Sequence, residues 1–248
     1  MAKTISTWML PTYGDPAAVS DRAAVVIDVL RASTTIITAL AQGAAAIYPC
    51  VTIDEGLTLR QRIPDSLAGG ERGGLPIPGF DFGNSPGDYT AEQVAGRDLI
   101  FTTTNGTRAL NAVATASWVG IGAFVNVSAL VTRLIEFESI LLVCAGTDGR
   151  VTREDVLFAG CLVRALQSSD REEDDSSRLA RQAWCGTWGT DAGSLPSPAE
   201  LVSELELTQG GRNLRRLGLA GDLQAVASID SFAVVPQWFP GDRTLRLA

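Results

Sequence analysis

Residues 24–43, AVVIDVLRASTTIITALAQG, decide the fold. The first six, AVVIDV, form a short run rich in β-branched side chains, which suit a pleated, buried strand. TTIITALAQG then carries apolar residues at helical spacing and stops at Gly43, a residue that ends helices readily because it tolerates a left-handed turn. Strand, polar loop and helix in that order make one α/β unit.

The unit recurs outward from there. AAAIYPCV at 44–51 and DEGLTLRQRI at 54–63 read as the next strand and helix, with Asp54 placed to cap the helix. DLIFTTT, NGTRALNAVATA, SWVGIGAFV and SALVTRLIEF, within 98–137, repeat the scheme twice more. SILLVCAG followed by TREDVLFAGCLVRALQ repeats it again, with Thr152 as N-cap and Asp155 as the third-position acid of a capping box. Strands of nearly continuous apolar character, alternating with helices, predict a three-layer α/β/α fold around a mostly parallel sheet. The chain reads as a single domain over 1–248, with the charge run SSDREEDDSSR at 168–178 as a solvated helix end or linker and the one place for a subdivision. Helices are expected around 176–184, 197–206 and 211–227, then a strand at SFAVVP, 231–236. The stretch 63–90 differs from all of these, being dense in Gly and Pro and too long for an ordinary connection, so it is expected to serve function.

Composition narrows the chemistry. A net charge of −8 over 248 residues argues against a general grip on nucleic acid or on an anionic membrane, so any anion must be captured locally. MAKTISTWML, cut off by Pro11, resembles neither a signal peptide nor a membrane helix, and a cytoplasmic location is expected. Cys50, Cys144, Cys161 and Cys185 are too scattered for a zinc or redox pair. There is no histidine, which removes the commonest general base and metal ligand at once. Chemistry must then run on oxygen or sulfur. Lys3 is the sole lysine, so arginine is the default cation and an arginine is informative only inside a Gly-, Thr- or Asp-rich loop.

In an open parallel sheet, ligands collect at the carboxyl ends of the strands. Those ends are Asp28 to Thr35, Thr102 to Arg108 and Cys144 to Arg150, each a polar or glycine-bearing loop that enters a helix. Amide N–H groups at helix N-termini favour a bound anion, and arginine adds a bidentate fork. The alternative is that these are ordinary helix caps. Carboxylates concentrate here too: Asp28 at the end of the first strand, Glu71 and Asp81 in the long 63–90 stretch, and Asp148, Glu154 and Asp155 after the fifth strand. Without histidine, carboxylates beside phosphate-binding loops best suit a hard cation with oxygen ligands, Mg²⁺ shared with a phosphate being the usual case. Cys144 and Arg150 have the spacing of a thiolate phosphatase, but Val151 follows the arginine and no histidine precedes the cysteine, so a core role is expected. A haloacid-dehalogenase reading needs a second Asp where Leu30 stands, and GIGAFV at 120–125 lacks the third glycine of a dinucleotide fingerprint.

Five segments in order, VVIDVLRASTTI, GGERGG, PGFDFGNSP, TTTNGTRAL and CAGTDGRVTREDVLFAG, resemble the 2-phosphosulfolactate phosphatase family of coenzyme M biosynthesis. The resemblance covers residues 25–165 and, in layout, GGRNLRRLGLAGDL at 210–223; relatives often have a histidine near 208–211, where this chain has Thr-Gln-Gly-Gly. It implies a Mg²⁺-dependent hydrolysis of 2-phospho-3-sulfolactate to 3-sulfolactate and phosphate. Asp28, Arg31, Glu71 and Asp155 are then the catalytic candidates, and Asp28, Glu71, Glu154 and Asp155 the metal candidates. Arg72, Asp81, Asn84, Ser85, Thr104, Asn105, Gly106, Arg108 and Gly146 are the expected substrate contacts. The competing expectations are a phosphatase for another small phosphorylated carboxylic acid and a non-catalytic anion-binding paralogue, and a covalent intermediate on Asp28 or Cys144 stands beside direct attack by water. A homodimer is expected from the size and type of the chain.

Overall fold

The computed structural model describes residues 3–189 and 195–248. Eleven strands form one sheet: β1 Lys3–Trp8, β2 Ala23–Ile27, β3 Ala46–Cys50, β4 Leu67–Arg72, β5 Leu75–Pro76, β6 Asp98–Thr102, β7 Trp118–Gly122, β8 Ser139–Cys144, β9 Arg171–Glu173, β10 Gln237–Phe239 and β11 Thr244–Arg246. The helices are α1 Ala32–Ala41, α2 Ile53–Arg62, α3 Ala91–Val94, α4 Gly106–Val113, α5 Val127–Leu134, α6 Arg153–Ala165, α7 Asp175–Trp188, α8 Pro198–Leu207, α9 Gln209–Arg216 and α10 Asp222–Val226. Spatial order across the sheet is β5-β4-β6-β3-β11-β10-β7-β2-β8-β1-β9. Among the described residues no helix is long and apolar enough to cross a membrane.

The five expected strand–helix units are all present. Alternation along each strand explains the layers: Val25 and Ile27 face a core built with α5, α6, α7 and α8, whereas Ala24 and Val26 face a second core built with α1 and α4. Leu142 and Leu141 divide in the same way on β8. The parallel strands fall into two groups, β9-β1-β8-β2-β7 and β3-β6-β4. The C-terminal hairpin β10–β11 joins them, pairing antiparallel with β7 on one side and β3 on the other.

Several local expectations are corrected. The segment SFAVVP is not a strand: Phe232 and Val234 pack into one core and Val235 into the other, while the ladder begins only at Gln237. The helix expected over 211–227 is two helices, broken where Gly218 turns left-handed at φ 75°. The cap of α2 is Thr52, whose hydroxyl accepts from the Glu55 N–H, not Asp54. The charged run at 168–178 contributes the edge strand β9 and the Asp174 cap of α7; charge on an edge strand discourages pairing with other chains. The long 63–90 stretch holds β4, which its composition concealed. Gly70 lies at φ 133°, and a Cβ there would stand 1.9 Å from the Thr102 carbonyl, so this strand needs glycine where a β-branched residue would have revealed it.

Candidate active site

A cavity of about 240 Å³ opens at the carboxyl ends of β2, β4 and β6, across the junction of the two parallel groups. One wall comes from the β2 loop with Asp28, Leu30 and Arg31. Opposite it stand Glu71, the Gly73–Gly74 turn, Asn84, Thr104 and Asn105. Thr147 and Asp148 close a side, and α9 roofs the site with Gly210, Asn213, Arg216 and neighbouring leucines.

Asp28 sits between two helix N-termini. One carboxylate oxygen accepts from the Ala32 N–H that opens α1, at 3.3 Å, and the Gly106 N–H that opens α4 also bonds the group. A Cβ on Gly106 would lie 3.0 Å from Asp28 Oδ2, so glycine is what lets α4 come this close. Burial pushes the Asp28 carboxyl up to about 7; the charges of Glu71 and Glu154 push the same way and the two N–H donors oppose them. Glu71 is likewise locked at both oxygens, Oε1 accepting from the Thr104 N–H at 2.8 Å and Oε2 from the Gly74 N–H at 2.7 Å.

The other two acidic candidates are not in the cavity. Asp155 accepts from the Val29 and Gly146 N–H groups, each at 2.9 Å, and from the Thr152 hydroxyl at 3.1 Å. It ties β2 to the β8 loop, and Gly146 belongs to that tie instead of to a substrate contact. The expected capping box is thus replaced by a longer bridge. Glu154 accepts from the Gly210 N–H at 3.1 Å and keeps Oε2 buried without a partner. Burial raises the proton affinity of both, foremost among the causes. Among the described residues no three acidic or cysteine side chains converge into a ready-made metal cage. Asp28 and Glu71 are the candidate carboxylates that line the cavity together.

Among the expected substrate contacts, Asn84, Thr104 and Asn105 line the cavity, and Asn84 Oδ1 and Thr104 Oγ1 are buried with no protein partner. Arg31 lines it too, but is paired with Asp222 at 2.5 Å. Ser85 bonds that pair instead of facing the cavity. Arg72 turns away: it donates to the Glu71 and Val51 carbonyls and to the Thr102 hydroxyl, pinning strand ends. Asp81 is bound to Arg60 and to the Ala68 N–H, and Arg108 lies exposed on α4, outside the cavity lining. Cys144 is fully buried, and burial, aided by the charge of Asp155, pushes its thiol well above 9, which rules against a resting thiolate. Asn213 and Arg216 went unassigned in the sequence, where an arginine on a C-terminal helix carries no signal of a fold-back over the site.

With this geometry the comparisons with known proteins agree. The family model for 2-phosphosulpholactate phosphatase matches residues 11–239. A probable 2-phosphosulfolactate phosphatase of Deinococcus radiodurans is 42% identical over 223 residues, covering 88% of each chain. Another from Symbiobacterium thermophilum is 38% identical over 229 residues, 90% of this chain and 94% of that one. A third, from Thermotoga petrophila, is 38% identical over 215 residues, 87% and 88% of the two chains. The chain belongs to the 2-phosphosulpholactate phosphatase family and is a phosphoric monoester hydrolase.

Proposed function

We propose that the chain hydrolyses 2-phospho-3-sulfolactate to 3-sulfolactate and phosphate, with Mg²⁺ held by Asp28 and Glu71. One observation carries the cation. The amide groups that could have gripped a phosphate are taken by the chain's own carboxylates: Ala32 and Gly106 by Asp28, Thr104 and Gly74 by Glu71, Gly210 by Glu154. Asp28, Glu71 and Asp148 outweigh Arg31 and Arg216 along the cavity wall, and Arg31 is already paired. A strongly anionic ester would be repelled from such a wall. Two carboxylates facing a cavity suit Mg²⁺, which takes one or two protein carboxylates and fills its shell with water and phosphate oxygens.

Bound there, Mg²⁺ would neutralise phosphate oxygens and draw charge from the leaving oxygen. Glu71, fixed by its two backbone donors, holds its place with little reorganisation. Asp28 orients the attacking water and accepts its proton as phosphorus gains that oxygen and loses the ester oxygen of carbon 2, which takes up a proton from solvent. Thr104 Oγ1 and the Asn84 side chain, both lacking protein partners, bind substrate oxygens. Arg216, exposed at the rim on α9, meets an outlying anionic group. The enzyme is further proposed to be cytoplasmic and homodimeric, the latter open to sedimentation analysis.

Phosphate release from 2-phosphosulfolactate and from a panel of other small phosphorylated acids, with Mg²⁺ and with chelator, tests the proposal. Release that needs the metal, favours the sulfonated ester and disappears in Asp28→Asn supports it. Metal-independent release overturns the cation, preference for another acid overturns the substrate, and no release from any ester favours an anion-binding paralogue.

A further inference from the structure

Arg31 lines the cavity, yet its guanidinium is held by Asp222 and Ser85 outside the lining and by the Gly74 carbonyl in the cavity wall. Nη1 donates to Asp222 Oδ2 at 2.5 Å and to Ser85 Oγ at 3.0 Å; Nη2 donates to the Gly74 carbonyl at 2.9 Å. The Ser85 hydroxyl donates to the same Asp222 oxygen at 3.0 Å, so one carboxylate oxygen gathers both partners. The two charged side chains are 3% and 13% exposed. A guanidinium carries about five N–H donors in a rigid plane. Those used here leave Nε–H and one N–H of Nη2 without a protein partner.

Asp222 opens α10, which lies after the left-handed break at Gly218 and far from Arg31 in the sequence. Holding an arginine this way has a consequence for binding. A free side chain would lose rotamer entropy on gripping a ligand, whereas a clamped one has lost it already. The clamp also cancels the charge of Arg31, so its use lies in direction more than in field. The Gly74 peptide links the clamp to the cation side of the site, its carbonyl accepting from Arg31 while its N–H donates to Glu71.

We propose that Asp222 is a positioning residue, fixing Arg31 so that its two remaining donors bind an anionic oxygen of the substrate. The inference rests on the phosphatase reading of the cavity given above. Asp222 touches no reacting atom in this scheme; it acts through Arg31.

The test is a double-mutant cycle on the full chain with Mg²⁺ present, comparing wild type, Asp222→Asn, Arg31→Lys and the double variant. KM and kcat are measured for 2-phosphosulfolactate, the Kd of inorganic phosphate by calorimetry, and folding by thermal melts. Asp222→Asn should raise KM and the phosphate Kd about tenfold while kcat stays within about threefold, since a ground-state contact is what loosens. The double variant should be no worse than Arg31→Lys alone, because a lysine has no planar fork to be aimed. Should Asp222→Asn fold poorly, Ser85→Ala removes only the bridging hydroxyl and should move the same constants in the same direction. A lowered melting temperature with KM and phosphate Kd unmoved, or effects that add in full, overturns the inference and leaves Asp222 a strut. A wild type that neither hydrolyses the ester nor binds phosphate overturns the proposed function, and this inference with it; normal wild-type hydrolysis with both perturbations silent overturns this inference alone.

Discussion

Replacing Asp28 with asparagine separates what the site costs in stability from what it does. The Asp28 carboxyl moves from 3.8 to about 7 on folding, chiefly through burial, with Glu71 and Glu154 adding to the effect. The folded state therefore holds the proton more tightly than the unfolded chain. This contribution to stability is complete below pH 3.8 and is lost as pH rises through about 7. Integrated between those limits, keeping Asp28 in place costs about 2 kcal/mol at pH 5 and about 4 kcal/mol at pH 8. Asparagine never ionises and escapes the cost, but its NH₂ mispairs with one of the N–H donors of Ala32 or Gly106, at about 1–3 kcal/mol whatever the pH. Asp28→Asn should thus be close to neutral at pH 5 and more stable than wild type by about 1–3 kcal/mol at pH 8, which is roughly 3–10 °C in a chain of this size. Thermal melts of both proteins in chelator from pH 5 to 8 check this, and phosphate release, assayed separately with Mg²⁺, should be abolished in the variant alone. Parallel curves of melting temperature against pH, or a variant less stable at pH 8, would refute the reasoning.

Four further outcomes follow from the same structure. Cys144→Ser should keep kcat within a few-fold while lowering stability by about 1–3 kcal/mol, because a hydroxyl replaces a thiol in a fully buried site that no nucleophile could serve; a loss of activity beyond the loss of folded protein would count against it. Arg108→Ala should leave KM for phosphate esters within about twofold, and Arg72→Ala should lower the melting temperature by the loss of about 1–2 kcal/mol of hydrogen bonding with KM held, in steady-state assays and melts on each variant. Gly160→Ala should be the severest of the set at about 3 kcal/mol or more by urea titration, since its Cβ would stand 2.1 Å from the Ala180 carbonyl and force α6 from α7.

The sequence showed the parts of this molecule that depend on short-range pattern. Apolar runs and helix stops identified the strand–helix units around Asp28, Thr104 and Cys144, and the rule that loops follow strands placed Asp28 and Asn105 near one another, whereas Glu71 was marked only by the unusual length and composition of its 63–90 stretch. What it hid depends on the fold closing over itself. Asn213 and Arg216 reach the cavity on α9, whose first turn is tied to α6 by the bond from the Gly210 N–H to Glu154. Asp222 and Arg31 are 191 positions apart, and Glu154 and Gly210 are 56 apart, so neither pairing has a local signature. Arg72 and Arg108 occupy motif positions yet point elsewhere, because residue type says what a side chain can bind and not which way its loop turns.

Amides of the glycine- and threonine-rich loops, expected to receive a phosphate, donate here to a carboxylate. The anion is the protein's own: Asp28 at the start of α1 and α4, Glu71 against Thr104, Glu154 at the start of α9. Carboxylates there relieve the helix dipoles but turn the cavity wall negative. A wall of that sign discriminates against a free anion and in favour of an anion that arrives with a cation. With the proposed cation bound, the same substitution of roles would let a chain with net charge −8 and no histidine serve an anionic ester, its affinity conditional on the metal instead of built into a field of arginines. The arginine that remains in the depths of the cavity is clamped by Asp222 and contributes direction where charge would have been redundant.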